Sequence, residues 1–133
     1  MKITSVPILR SALLATGIVF ALAGCSTVNL DSSGDTTAVY QLNEFRMVVN
    51  STAPATYAAT QKAFRELGLF EIKSSKLETF SGELFARTTK DEKVYVSIAE
   101  INSRQTILKI RWGTGGDKKN SIELYKLIER HLR

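Results

Sequence analysis

The chain has one cysteine, Cys25, and one histidine, His131, so few side chains could support covalent or acid–base chemistry. A lone thiol cannot form an intramolecular disulfide. Acylation would explain an unpaired thiol in an exported protein, because it consumes the sulfur as a thioether. His131 falls in the last turn of a predicted helix, where a solvated helix end explains it better than a metal ligand or general base. No Ser/His/Asp arrangement, Cys/His pair or metal cluster can be assembled, so no catalytic residue, metal site or cofactor is predicted.

A glycine-rich segment is the next candidate, because glycine-rich turns before helices can hold phosphate through their backbone N–H groups. The segment is followed by Lys118, Lys119 and Asn120. This sequence matches neither a P-loop nor a dinucleotide-binding fingerprint. Two alternatives therefore remain for this segment, an anion site and a plain strand-to-helix turn. Both involve the same residues: Gly113, Gly115, Gly116 and Asp117.

The first 24 residues have the parts of a secretory signal peptide. Lys2 and Arg10 make the start basic, residues 11–22 are uncharged and mostly apolar, and small residues follow. A transmembrane helix needs roughly 20 apolar residues, and Arg10 interrupts any longer apolar run. The pattern therefore predicts a cleaved signal peptide over residues 1–24 and not a spanning helix.

The end of this segment resembles the lipobox of bacterial lipoproteins, in Leu22, Ala23, Gly24 and Cys25. The resemblance implies cleavage before Cys25 and attachment of diacylglycerol and further acyl chains, such as palmitate, to that cysteine. Ser26 follows, and in Gram-negative sorting a serine there implies delivery to the outer membrane. The expected location is the cell envelope, with the domain facing the periplasm. Several acyl chains anchor stably where one would be marginal.

Length and charge limit the number of domains and the kinds of binding partner. Without its first 24 residues the 133-residue chain keeps 109, enough for one domain with one core. Lys2 and Arg10 contribute two of the five net positive charges, so the mature chain is near +3. Such mild basicity does not indicate nucleic-acid binding.

Apolar periodicity predicts seven elements after a flexible tether over residues 25–37, which is rich in serine, threonine, aspartate and glycine. A first helix begins near Thr52 and ends with Gly68 as its cap, and a last helix is capped by Asp117 or Asn120. Strands are predicted over residues 39–49, 69–73, 79–88, 93–101 and 106–112.

Short polar connections between the later strands predict hairpins and an antiparallel sheet. The expected fold is an α+β two-layer sandwich of about five strands, in the order β-α-β-β-β-β-α, with both helices on one face. The domain organisation is then a signal peptide (1–24), a lipidated cysteine with its tether (25–37) and one α+β domain (38–133).

The folded part also resembles a family of short bacterial lipoproteins known only as a domain of unknown function. The resemblance covers roughly residues 42–132. Its motifs are packing and turn residues, so it implies a fold but no catalytic residue. The motifs are Tyr57-Ala58-Ala59-Thr60, Ala63-Phe64, Leu67-Gly68-Leu69, Ser81-Gly82-Glu83, Ala86-Arg87-Thr88 and Ile110-Arg111-Trp112-Gly113-Thr114-Gly115-Gly116-Asp117.

These observations predict a non-enzymatic domain, anchored to a membrane through Cys25, that acts by contact with another envelope protein. A second hypothesis is binding of a small ligand or lipid. It depends on Phe85, Tyr95 and Ile101, which are predicted on the sheet face away from the helices. An exposed apolar patch of that kind can bind a ligand.

Overall fold

The computed structural model describes residues 26–30, 37–73 and 75–133. An antiparallel sheet packs on two helices that lie on one of its faces, which confirms the predicted α+β sandwich. The predicted signal peptide and lipobox lie outside the described residues. In chain order the elements are β1 (Ser26–Asn29), β2 (Thr37–Gln41), β3 (Glu44–Val49), α1 (Ala53–Glu66), β4 (Phe70–Glu71), β5 (Lys76–Leu77), β6 (Ser81–Arg87), β7 (Lys93–Asn102), β8 (Gln105–Trp112) and α2 (Lys118–Leu132).

The sheet has the strand order β1-β2-β3-β8-β7-β6-β4, and β5 pairs separately with β6. Apolar and polar residues alternate in the three long strands, and this period of two sends every second side chain toward the helices. The buried residues are Leu84 and Ala86 in β6, Val94, Val96 and Ile98 in β7, and Leu108, Ile110 and Trp112 in β8. One face of the sheet therefore forms one side of the hydrophobic core.

Within residues 26–30, 37–73 and 75–133 the sheet has eight strands where about five were predicted. Two of the additional strands precede α1, and one, β5, lies between the helices in the sequence. The single strand expected over residues 39–49 is two strands, β2 and β3. Leu42 and Asn43 both have positive φ values, 51° and 63°, and form a two-residue turn between them. Such turns are usually signalled by glycine, and leucine is an uncommon residue in that conformation.

Residues 26–29, which the sequence predicted as flexible tether, form the edge strand β1. It pairs antiparallel with β2 from Ser26 opposite Tyr40 to Asn29 opposite Thr37. The Ser26 hydroxyl donates to the Tyr40 carbonyl at 3.1 Å, and Val28 is buried in the core. Among the described residues the sheet therefore begins at Ser26, which follows Cys25 in the sequence.

In the first turn of each helix, backbone N–H groups donate hydrogen bonds to side chains. Helix α1 begins near Thr52, as predicted, and the Thr52 side chain is its N-cap. The Glu100 carboxylate accepts from the Ala53 N–H at 2.8 Å. Asp117 caps α2, accepting from the Asn120 N–H at 2.9 Å, so Asp117 and not Asn120 starts the last helix. Gly68 ends α1 with a φ of 69°, as predicted.

The core is filled by apolar side chains from the sheet and both helices. Phe45 of β3 meets Tyr125 of α2 with ring centroids 5.2 Å apart. The buried Thr60 hydroxyl donates to the Thr56 carbonyl at 2.8 Å. Throughout the described part of the chain, every buried side-chain nitrogen and oxygen has a hydrogen-bond partner. Burial of these polar groups therefore costs the folded state little stability.

Tyr125 should make stability fall at high pH. Burial raises the pKa of this phenol to about 12, and the Glu129 carboxylate adds to the shift while Arg133 opposes it. The folded state therefore holds the proton more tightly than the unfolded chain does, where tyrosine has a pKa of about 10. The stabilisation is complete below about pH 10 and is lost as the pH rises toward 12.

Urea unfolding at a series of pH values, on the wild type and on Tyr125→Phe, measures this dependence. We expect the wild type to lose more stability than the phenylalanine variant above about pH 10. The other tyrosines titrate in both proteins and cancel in the comparison. Parallel losses in the two proteins would contradict the assignment to Tyr125.

Candidate functional site

The face of the sheet opposite the helices is covered by no other element within residues 26–30, 37–73 and 75–133. We call it the open face, and strand register arranges its side chains in three rows. One row contains Glu44, Arg111, Tyr95 and Phe85. The next contains Arg46, Lys109, Ser97 and Glu83. The third contains Val48, Ile107 and Ala99.

An aromatic pair forms one end of the first row. The rings of Phe85 and Tyr95 lie 4.9 Å apart and are tilted by 48°. The Tyr95 hydroxyl donates to Glu83 at 3.0 Å. Burial, with the Glu83 hydrogen bond and charge adding to it, raises the pKa of Tyr95. The pair is held in one geometry, and rigid aromatic side chains of this kind are common anchors at protein interfaces.

Ile101, the third residue predicted for this patch, does not join the aromatic pair. It lies in an irregularity of the β7–β8 ladder between Glu100 and Asn102. It is six residues beyond Tyr95, and at about 3.3 Å per residue that places it about 20 Å away. Phe85 and Tyr95 therefore form one aromatic patch, and Ile101 lies apart from it.

Cations surround a carboxylate at the other end of the first row. The Arg46 Nε donates to Glu44 at 2.8 Å, and an Arg111 guanidinium nitrogen lies 4.0 Å from the second Glu44 oxygen. Lys109 follows Arg46 in the neighbouring row. Exposed ion pairs contribute only about 0–1 kcal/mol to folding. Here the Glu44 side chain is only 12% exposed, whereas those of Arg46 and Arg111 are 42% and 50% exposed. The cations therefore remain open to solvent around a largely buried carboxylate.

An apolar groove of about 490 Å³ lies beside these cations. Its apolar wall includes Val39, Val48 and Ile107, and Arg46 and Lys109 line it as well. Val39 and Val48 are exposed, although valine is usually buried in a folded domain. Exposed apolar side chains rimmed by charge are typical of interaction surfaces.

The glycine-rich segment forms the turn between β8 and α2. The Gly113 N–H donates to the Lys93 carbonyl at 2.7 Å, and Gly116 packs against Tyr40 and Asn43. The start of α2 is filled by the carboxylate of Asp117, the fourth predicted residue. An anion there would meet that carboxylate at close range, which disfavours the anion-site alternative and leaves the turn.

The remaining chemical groups do not converge. In the part of the chain that the structure describes, no three His, Cys, Asp or Glu side chains could hold a metal ion. His131 lies near the end of α2, with its Nε2 2.9 Å from a Glu66 carboxylate oxygen at the end of α1. This contact joins two helix ends on the surface.

The sequence over residues 8–131 matches the family described as "Protein of unknown function (DUF3568)". The chain belongs to this family. The predicted kinship with a family of unknown function is thereby confirmed, and the match runs from upstream of β1 to the last turn of α2. No match is found among curated proteins. Among the described residues, no helix is both long enough and apolar enough to cross a membrane.

Proposed function

We propose that this chain is a non-enzymatic lipoprotein of the cell envelope, anchored by acyl chains on Cys25, whose domain binds an envelope protein through the open face. The observation that carries the proposal is the contrast between the two faces of the sheet. Helices cover one face, while the other presents an aromatic pair and an apolar groove rimmed by cations.

The anchor is supported by the sequence around Cys25. The lipobox stands at the end of an apolar segment of suitable length, and it lies within the residues matched by the family. Acylation also accounts for the only cysteine of the chain. Ser26 after the cysteine favours the outer membrane, with the domain in the periplasm.

The chemistry of the open face supports a partner with apolar and acidic side chains. Arg46, Lys109 and Arg111 outnumber the two carboxylates of the same rows, Glu44 and Glu83. Glu44 pairs with Arg46 and Glu83 accepts from the Tyr95 hydroxyl, so these rows carry an excess of one positive charge. The partner segment would place apolar side chains in the groove and carboxylates against the cations, which gives specificity and a salt-dependent association rate.

A small apolar ligand or lipid is the second candidate, and the groove favours it. Its volume of about 490 Å³ falls within the range of known ligand sites. Native mass spectrometry of the purified protein would detect a bound ligand as added mass. A mass equal to that of the protein alone would count against this candidate.

Photo-crosslinking in living cells tests the protein partner. A photoreactive amino acid at Val48 or Ile107 probes the open face, and the same residue at the exposed Ala58 of α1 probes the opposite side of the molecule. We expect the two open-face positions to capture the same protein, through an acidic segment of that protein. We expect little capture from Ala58.

Charge reversal separates specific binding from chance collisions. Lys109→Glu combined with Arg111→Glu should abolish capture from Val48, while Lys126→Glu, an exposed position on α2, should leave it intact. Cys25→Ala should reduce capture by releasing the protein from the membrane. Equal capture from all three probe positions, or capture that survives reversal of the open-face charges, would overturn the proposed interface.

A further inference from the structure

One end of the sheet is tied to the site of acylation by a single peptide bond. Ser26 is the first residue of β1 and pairs with Tyr40 near the end of β2. Consecutive Cα atoms lie about 3.8 Å apart, so Cys25 stays beside this end wherever the domain turns. Acyl chains on Cys25 would therefore bring this end of the domain to the bilayer.

An exposed leucine lies at the same end. Gln41 pairs with Glu44, and the turn between them carries Leu42, whose side chain is 68% exposed. The position of Leu42 next to the start of β1 places it where the acyl chains would enter the membrane.

Four lysines share this end of the sheet. Lys118 and Lys119 begin α2, and the Lys118 ammonium lies 5.9 Å from the centre of the Tyr40 ring. Lys90 and Lys93 lie at the β6–β7 connection, which register places beside the end of β8. All four side chains are exposed. None takes part in the ion pairs found among residues 26–30, 37–73 and 75–133.

Of the four carboxylates at this end, Glu44 and Asp91 pair with arginines, while Glu92 and Asp117 bind neutral donors and keep their negative charge. Glu44 binds Arg46, Asp91 binds Arg87, Glu92 accepts from the Trp112 indole, and Asp117 accepts from the Asn120 backbone. The four lysines therefore exceed the two unpaired carboxylates.

The opposite end of the sheet has a different chemistry. A polar groove of about 720 Å³ lies there, lined by amide and hydroxyl side chains with one cation, Arg104. The lining residues from the β7–β8 turn include Asn102 and Ser103, and Asn50 and Thr52 face them from the start of α1. Neutral polar groups of this kind suit water, so the two ends differ in charge. Exposed apolar side chains occur at both ends, since Phe80 and Ile101 lie toward the polar groove.

We propose that the end formed by Leu42, Lys90, Lys93, Lys118 and Lys119, which we call the anchor end, rests on the membrane and binds anionic phospholipid headgroups. This inference rests on the proposed acylation of Cys25. Leu42 enters the boundary between headgroups and acyl chains, and the lysines contact the phosphates. The domain is then held upright, with the open face turned sideways toward other envelope proteins and the polar groove farthest from the bilayer.

Site-specific probes on the full chain, purified from membranes and reconstituted in vesicles, test this orientation. Leu42→Cys and Ser103→Cys place a thiol at exposed turns of opposite ends. A blocked Cys25 leaves the new thiol alone free for an environment-sensitive fluorophore. In vesicles of phosphatidylcholine and phosphatidylglycerol, we expect a blue-shifted emission and a severalfold lower iodide quenching constant at position 42 than at position 103.

Charge reversal provides the matched control. Lys118→Glu with Lys119→Glu should raise quenching at position 42 to the level of position 103, and so should vesicles of phosphatidylcholine alone. Acidic residues suit the first turn of a helix, so this variant keeps α2 folded. Lys126→Glu, farther along α2, should have no effect.

The outcomes separate orientation from anchoring. Protein that floats with the vesicles but is quenched equally at both positions overturns the orientation and leaves the anchor standing. Protein that carries no lipid mass, takes up a second fluorophore on Cys25 and does not float overturns both proposals.

Discussion

Replacing Phe45 by alanine should lower the free energy of unfolding by about 3–5 kcal/mol. The Phe45 side chain is fully buried, stands between Tyr40 of β2 and Ile110 of β8, and packs on the Tyr125 ring. Its removal leaves a cavity at the point where the sheet meets α2, and the surrounding side chains can collapse only partly. The loss is a large share of the 5–15 kcal/mol that stabilises a typical domain.

Phe80→Ala makes the same chemical change on the surface and serves as the control. Its side chain is 68% exposed, so the expected effect is within about 0.5 kcal/mol. Urea unfolding followed by circular dichroism measures both variants against the wild type. Similar losses for the two variants would contradict the assignment of Phe45 to the core.

Replacing Gly116 by alanine should cost about 2–4 kcal/mol, for two reasons that add. Gly116 has a φ of 73°, a conformation that side chains disfavour. An added Cβ would also lie 2.5 Å from the Tyr40 hydroxyl, 2.5 Å from the Asn43 Cβ and 2.8 Å from the Asn43 carbonyl oxygen. The turn before α2 would have to move away from the β2–β3 turn.

The same segment provides graded controls. Gly113 has a φ of 68° but open space around it, so alanine there should cost about 1 kcal/mol through backbone strain alone. Gly115 has neither a positive φ nor a neighbour within 4 Å, so alanine there should be close to neutral. Thermal and urea unfolding of the three variants should rank them in this order. A Gly116→Ala variant as stable as Gly115→Ala would show that the two turns do not touch.

Local patterns were enough to predict the two helices and the three long strands. Thr52 and Gly68 mark the ends of α1 because capping depends only on neighbouring residues. Apolar and polar residues alternate along β6, β7 and β8, and this alternation identifies the buried face. The pattern is clear because these strands are long and are bounded by polar residues. The fold class follows from these elements, since both helical stripes need the same sheet face.

Elements that depend on distant pairing were missed. The β2–β3 turn has leucine and asparagine where a glycine signal was expected, so two strands were predicted as one. The short strand β1 is rich in serine and threonine, and only its pairing with β2 reveals it. β5 has two residues, Lys76 and Leu77, which no periodicity can identify.

The grouping of side chains on the open face also depends on the pairing of strands that are distant in the sequence. Alternation placed Phe85 and Tyr95 on one face, and register across two strands brought them together. Ile101 lies apart from this pair because it comes six residues after Tyr95, at an irregularity in the β7–β8 ladder. The grouping of Arg46, Lys109 and Arg111 depends on the register of β3 against β8, which the sequence does not reveal.

Both the proposed function and the proposed orientation depend on acylation of Cys25, and the intact mass of the protein purified from cell membranes measures that acylation. We predict a mature chain that begins at Cys25 and carries the mass of diacylglycerol and a further acyl chain. We also predict a Cys25→Ala protein that carries neither and leaves the membrane fraction. A wild-type chain with a free thiol on Cys25, or one that begins at another residue, would contradict the account.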